Sequence, residues 1–126
     1  MSQFPTSFHH IHLELAREAG HPEGDAGHGY DIVAPLSADG HLDAAEWKAY
    51  RDKCRVRRFR PHEDDEIGTL LHGPGGRWFI SYADGEPAES GYRFEDECFV
   101  PGEYVSIRED DGQIHTFRVT QVRMLD

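Results

Sequence analysis

The second half of the chain is a series of short alternating runs broken by glycine and proline, and this pattern limits the folds open to it. Apolar and polar residues alternate in strands that are buried on one face. A parallel doubly wound sheet needs a helix between successive strands, and no such helices are indicated here. The sequence therefore predicts a mainly β, antiparallel fold. The predicted runs after residue 61 are 68–72, 77–83, 91–94, 99–107 and 114–122.

The clearest strand pair surrounds Asp111 and Gly112, which separate the runs 104–108 and 114–122. Asp-Gly between two alternating runs is the strongest short-range signal for a β-hairpin. The phase of the alternation changes near the end of the second run, which predicts a bulge near Gln121. The side chains of this hairpin that we expect in the core are Val105, Ile107, Phe117 and Val119.

Two more strands are predicted near the start of the chain. Residues 11–15 alternate in the manner of a half-buried strand, and residues 30–36 form a short apolar run. The stretch between them, residues 17–29, is rich in glycine and histidine. Glycine and proline disfavour both helix and strand, so we predict a flexible loop at 17–29.

One helix is predicted, from Asp43 to about residue 54. The Asp43 carboxylate can cap the first turn, while Glu46 reaches back to the amide of the cap. Trp47, Tyr50 and Cys54 then form one apolar stripe, which we expect to be buried against the sheet. The fold prediction is thus a small, partly open antiparallel barrel or bent sheet with one helix, about 43–54, packed on it.

Composition places the chain in the globular class. A chain of 126 residues is most simply one domain, 1–126. An apolar fraction of 37% and an aromatic fraction of 11% exclude the disordered class. No apolar run approaches the roughly 20 residues of a membrane helix, and no secretory signal is evident. Two cysteines in such a chain fit a reducing compartment, so we expect a cytoplasmic protein without membrane contact.

The net charge is −11, but residues 51–60 contain six basic residues and one acid. On an extended strand Arg55 and Arg57 share one face, and guanidinium groups bind carboxylate or phosphate through paired hydrogen bonds. These two arginines are therefore a candidate anion site. The alternative is internal ion pairing, since the chain has an excess of carboxylates. Nucleic acid is not an expected partner, because no second basic patch supports the first.

Histidine is the unusual component, with nine residues in the chain. His10 and His12 project to the same side of the first strand, where two imidazoles can bind one metal ion. His21 and His28, in the adjoining loop, would complete a site for Zn or another divalent transition metal. The alternative is that these histidines are ordinary polar surface groups.

Neither Cys54 nor the two acidic runs of the chain is predicted to form a functional site. Cys54 completes the apolar stripe of the helix and is expected in the core. The acidic runs 63–66 and 109–111 lack the ligand spacing of a calcium loop, so we expect both to be solvated surface.

These features predict a small cytoplasmic β domain that binds a small molecule or a partner protein. The alternative is a metal-dependent enzyme or metal-binding protein that uses the N-terminal histidines. The sequence leaves open whether the protein is an enzyme and what its oligomeric state is.

Overall fold

Eight antiparallel strands form a closed barrel in which each strand pairs with its neighbours in sequence and the last pairs with the first. The computed structural model describes residues 7–82 and 87–125. The mainly β, antiparallel prediction is confirmed, and the barrel is fully closed. The strands are β1 (Phe8–Leu15), β2 (Asp25–Pro35), β3 (Arg55–Phe59), β4 (Glu66–His72), β5 (Trp78–Ser81), β6 (Pro87–Tyr92), β7 (Tyr104–Arg108) and β8 (Ile114–Met124).

The barrel closes between β1 and β8. His12 pairs with Gln121 and Leu13 pairs with Val119, so Thr120 is an extra residue in β8. This irregularity confirms the predicted bulge near Gln121. Because the bulge shifts the phase of β8, Val122 can pack against the core although it is out of alternation with the buried Val119.

The β7–β8 hairpin turns at Asp111 and Gly112, as predicted. Val105 pairs with Phe117, and Gly112 has a φ of 80°, a conformation that glycine adopts without strain. All four side chains predicted for the core are buried. Local alternation and turn chemistry were therefore sufficient to define this hairpin.

The prediction of a loop through residue 29 is wrong at its C-terminal end, because β2 begins at Asp25. Gly29 explains the strand. A Cβ atom there would lie 1.9 Å from the carbonyl oxygen of Leu13 and 2.8 Å from the Phe59 ring. The glycine thus permits close approach of neighbouring strands and does not mark a loop.

Helix α1 (Ala44–Tyr50) begins after its predicted cap. The Glu46 amide donates a hydrogen bond to Asp43 Oδ1 at 3.1 Å, whereas the amide of Asp43 donates to the Pro35 carbonyl. A 3₁₀ turn, Arg51–Lys53, replaces the last predicted helical turn. The helix is therefore shorter than the predicted 43–54.

Trp47 is buried, with 7% of its surface exposed, and its indole donates a hydrogen bond to the Leu70 carbonyl at 2.8 Å. Cys54 is also buried, as predicted. The prediction that Tyr50 is buried is wrong, since 37% of it is exposed. Tyr50 is the last residue of α1, and its ring meets the Phe8 ring edge to face at a centroid distance of 6.2 Å.

The two ends of the barrel differ in character. Helix α1 covers the end where β1 begins, which we call the closed end, and aromatic side chains fill it. The opposite end, where β1 finishes and β2 begins, contains buried charged groups, and we call it the polar end. The large aromatic side chains at the closed end are Phe8, Trp47, Trp78, Phe94 and Phe99.

Within the described ranges, the helices lack the length and apolar character required to cross a membrane.

Candidate functional site

Two glutamates are buried at the polar end. Glu89 and Glu109 each have only 3% of their surface exposed. Glu89 lies opposite Ile80 in the β5–β6 register, so it occupies a position that faces into the barrel. Glu109 follows the buried Ile107 by two residues and continues the inward phase of β7. The prediction that Glu109 belongs to a solvated acidic run is therefore wrong.

Glu89 accepts hydrogen bonds from four side chains of the barrel. The Tyr82 hydroxyl donates to Oε1, and Arg58 donates to Oε2 at 3.0 Å. Arg60 donates to the same Oε2 atom at 3.3 Å, and the Tyr30 hydroxyl lies 3.1 Å from Oε1. Each oxygen of this buried carboxylate is thus matched by donors.

Glu109 shares two of these partners. Tyr30 donates a hydrogen bond to Oε2, and Arg60 lies 3.3 Å from the same oxygen. The Nε2 atom of His28 is also 3.2 Å from Oε2. A phenol has one proton, so Tyr30 can donate fully to only one of the two carboxylates at a time. Tyr30 and Arg60 therefore link the two glutamates in one buried network.

The protonation states of this network are set by burial and by the opposite charges. Burial, together with Glu89 and Glu109, raises the pKa of Tyr30 well above its ordinary value, so the phenol remains a donor. Burial also raises the pKa of Glu109. Hydrogen bonds from His28 and Tyr30, with the charge of Arg60, outweigh this, so the pKa of Glu109 is lowered overall. Glu109 is a fixed carboxylate at neutral pH.

A cavity of about 370 Å³ opens above Glu109, and we call it the mouth cavity. His28 and His115 both approach Glu109, and the centroids of their rings lie 6.3 Å apart. The Nε2 atom of His115 is 3.7 Å from Glu109 Oε1, too far for a hydrogen bond. No described side chain donates a hydrogen bond to Glu109 Oε1, so this oxygen can still accept one.

The structure divides the four histidines predicted to bind metal into two pairs. His21 and His28 line the mouth cavity. His10 and His12 line a different cavity of about 420 Å³ on the outer wall of the barrel, formed by β1 to β4, which we call the wall cavity. A single metal site formed by all four histidines would need ligands from both the wall cavity and the mouth cavity.

The wall cavity also contains the predicted anion-binding residues, Arg55 and Arg57. Asp31 lies between them and the histidines, and it accepts hydrogen bonds from His10 and His12 at 2.7 Å each. Arg57 donates to the same carboxylate at 3.0 Å. Sequence reasoning placed each pair of residues on one strand face but did not show that the two pairs meet at Asp31.

Internal ion pairing, the alternative for the basic segment, is confirmed for three of its arginines. Arg57 pairs with Asp31 and Asp65, and Arg58 and Arg60 both pair with Glu89. Anion binding at Arg57 would have to compete with these carboxylates.

Metal binding by the histidines stays a prediction. In the part of the chain that the structure describes, no group of three or more His, Cys, Asp or Glu side chains has the arrangement of a metal site. Both ring nitrogens of His12 face carboxylates, with Nδ1 2.7 Å from Asp31 and Nε2 3.1 Å from Glu14. A metal ion at His12 would have to displace one of these contacts. Titration of wild type and His12→Ala with Zn²⁺ tests the prediction.

Comparison of the chain with protein-family models, curated proteins and solved structures found no match. What the protein does is therefore inferred from its own side chains.

Proposed function

We propose that this protein binds a small organic cation in the mouth cavity, with Glu109 as the central acceptor. The observation that carries the proposal is the charge of the cavity, where six carboxylates face one guanidinium group, that of Arg60. Three histidines also line it, and full protonation of all three would still leave an excess of negative charge. The acidic residues are Glu18, Asp25, Glu63, Glu109, Asp110 and Asp111.

The position of Glu109 supports binding at a defined point. Its Oε2 atom is held by Tyr30 and Arg60, while Oε1 has no donor within hydrogen-bond distance among the described residues. An ammonium or guanidinium group that enters the cavity can donate to Oε1 without breaking the buried network. Such a carboxylate is oriented before the ligand arrives, which lowers the entropic cost of binding.

The energetic cost of the network also favours a role in binding. Removing two carboxylates and two guanidinium groups from water costs several kcal/mol per ion, and their attraction only partly offsets this. Apolar side chains in the same positions would stabilise a small barrel equally well. Buried charges beside a cavity are typical of binding and catalytic sites.

The size of the cavity suits a small ligand. A volume of about 370 Å³ lies at the lower end of the roughly 300–1,000 Å³ that is usual for small-molecule sites. We place this binding protein in the cytoplasm, in keeping with two free cysteines, Cys54 and Cys98.

A ligand series of constant size tests the proposal. Putrescine, butanediol and succinate share one carbon skeleton and differ in charge. In an amide-proton NMR titration we expect putrescine to shift the resonances around His28, Glu109 and His115, and the other two compounds to leave them unchanged. Equal shifts for butanediol, or larger shifts for succinate, would contradict a cation site.

Variants locate the site. Glu109→Gln keeps the shape of the side chain but removes its charge, so the affinity for putrescine should fall about tenfold or more. Glu103→Gln, an exposed substitution near the closed end, is the matched control and should bind as wild type does. If Glu109→Gln perturbs the fold, Glu63→Gln removes an exposed carboxylate of the same cavity and should weaken binding less. Unchanged binding in both cavity variants would overturn the proposal.

A further inference from the structure

The wall cavity carries a surplus of positive charge on a protein whose net charge is −11. Its charged lining consists of Arg55, Arg57 and Asp31. Asp31 and Arg57 are joined by hydrogen bonds, so their charges compensate one another. Asp65 also pairs with Arg57 but is not part of the cavity lining, so among the lining residues the charge of Arg55 is left over.

The Arg55 side chain is exposed, and within the described part of the chain it makes no hydrogen bond or ion pair. It lies on β3 directly opposite Val33 of β2 and Thr69 of β4. None of these cross-strand neighbours is a carboxylate. Its guanidinium group is free to donate paired hydrogen bonds to an incoming anion.

Apolar surface adjoins this free guanidinium. Ile67 lies on β4, the strand next to that of Arg55, and is 56% exposed. Its partner in the sheet is Arg57 of β3. Val33 is half-buried and packs its inner side against the core. Ile67 on β4 and Val33 on β2 both line the cavity, on either side of β3. They offer a ligand aliphatic contacts, which an inorganic anion could not use.

From these contacts we infer that the wall cavity is a second ligand site, which binds a small organic carboxylate with an apolar body. The carboxylate group accepts hydrogen bonds from Arg55, and the apolar body covers Val33 and Ile67. Asp31 does not repel the ligand, because Arg57 and the donors on His10 and His12 occupy its oxygens. The site is independent of the cation site proposed for the mouth cavity.

Three probes separate the contributions to binding. Benzoate has both the charge and the apolar body, benzamide keeps the body without the charge, and inorganic phosphate has charge alone. In a methyl and amide NMR titration, benzoate should shift the Val33 and Ile67 methyl signals and the Arg55 amide. Benzamide and phosphate should bind at least about tenfold more weakly.

The matched variants are both exposed arginine substitutions. Arg55→Gln should weaken benzoate binding about tenfold or more, whereas Arg118→Gln, on the outer face of β8, should leave it unchanged. Ile67→Ser should weaken benzoate but leave the phosphate affinity as it was. Equal losses in Arg55→Gln and Arg118→Gln would show a general charge effect and overturn the site. Stronger binding of phosphate than of benzoate would overturn the assigned ligand class.

Discussion

The two ends of this barrel are built from the same eight strands, but aromatic side chains fill one interior and charged side chains fill the other. At the closed end, Trp47 and Trp78 meet edge to face at a centroid distance of 5.9 Å and exclude water. At the polar end, the same inward positions hold Glu89 and Arg58, paired at 3.0 Å. Aromatic burial stabilises a fold directly, whereas a buried ion pair offsets little more than its own desolvation. The comparison indicates that stability is concentrated at the closed end, and the ligand binding that we propose lies at the other.

The largest effect is expected at the closed end. Trp47→Ala removes a buried indole and its hydrogen bond to Leu70, so unfolding free energy should fall by about 3–5 kcal/mol. Chemical denaturation measures this change. Tyr50→Ala, on the same helix, is the control and should cost about 1 kcal/mol or less, because Tyr50 is partly exposed. Similar losses for both residues would show that α1 is not docked through Trp47.

A slightly smaller loss is expected at the polar end. Glu89→Gln removes one buried charge and leaves Arg58 and Arg60 with only the exposed Asp110 as a shared carboxylate, which should cost about 3 kcal/mol. The same denaturation experiment applies, with the exposed Glu95→Gln as a control near zero. A Glu89→Gln variant as stable as wild type would show that the network contributes nothing to the fold, and the contrast between the ends would be even sharper.

The turn at Asp111 and Gly112, at the polar end, should lose stability when its backbone is strained. Gly112→Val places a β-branched residue at a φ of 80°, so the variant should be less stable by more than about 1 kcal/mol. Gly112→Asn should lose less, since asparagine tolerates this conformation. Thermal melting of the two variants measures the difference, and equal melting temperatures would contradict a strained turn.

The smallest effect is a pH dependence at the rim of the polar end. Burial lowers the pKa of His115, but Asp111 at 2.9 Å and Glu18 at 3.1 Å outweigh it, so its pKa is raised. The protonated imidazole therefore stabilises the fold fully below the unfolded-state pKa of about 6.5. This contribution is lost as pH rises through the higher folded-state value.

NMR titration of the His115 ring measures this shift. The midpoint should lie above 6.5 in wild type and move down in Asp111→Asn, which removes one of the two carboxylate partners. A midpoint that does not respond to Asp111→Asn would show that the carboxylate does not determine the pKa of His115.

Short-range signals in the sequence defined the closed end better than the polar end. The Asp43 cap and the position of Trp47 follow from spacings of three and four residues, which a helix imposes locally. The hairpin at Gly112 is also defined locally, although it lies at the polar end. Tyr50 was misplaced because the pattern does not reveal where an α-helix tightens into a 3₁₀ turn.

The polar end could not be predicted because its contacts join distant parts of the chain. Glu89 follows a proline-containing stretch and carries no alternating pattern, and Glu109 begins an acidic run that resembles surface. Their burial follows from barrel closure, which brings Tyr30 within hydrogen-bond distance of both. The basic segment gave a partial signal, since internal ion pairing was the alternative predicted for its arginines.

Because β1 pairs with β8, the barrel can close only after β8 has been synthesised. The partner of β1 on one side is the last strand to be made, so the edge of Phe8–Leu15 remains unpaired until Ile114–Met124 has left the ribosome. Pairing across so long a stretch of chain is slow, and an open edge can pair with another molecule meanwhile. Three histidines and a glutamate interrupt the apolar residues of β1, and such polar side chains on an edge discourage that association.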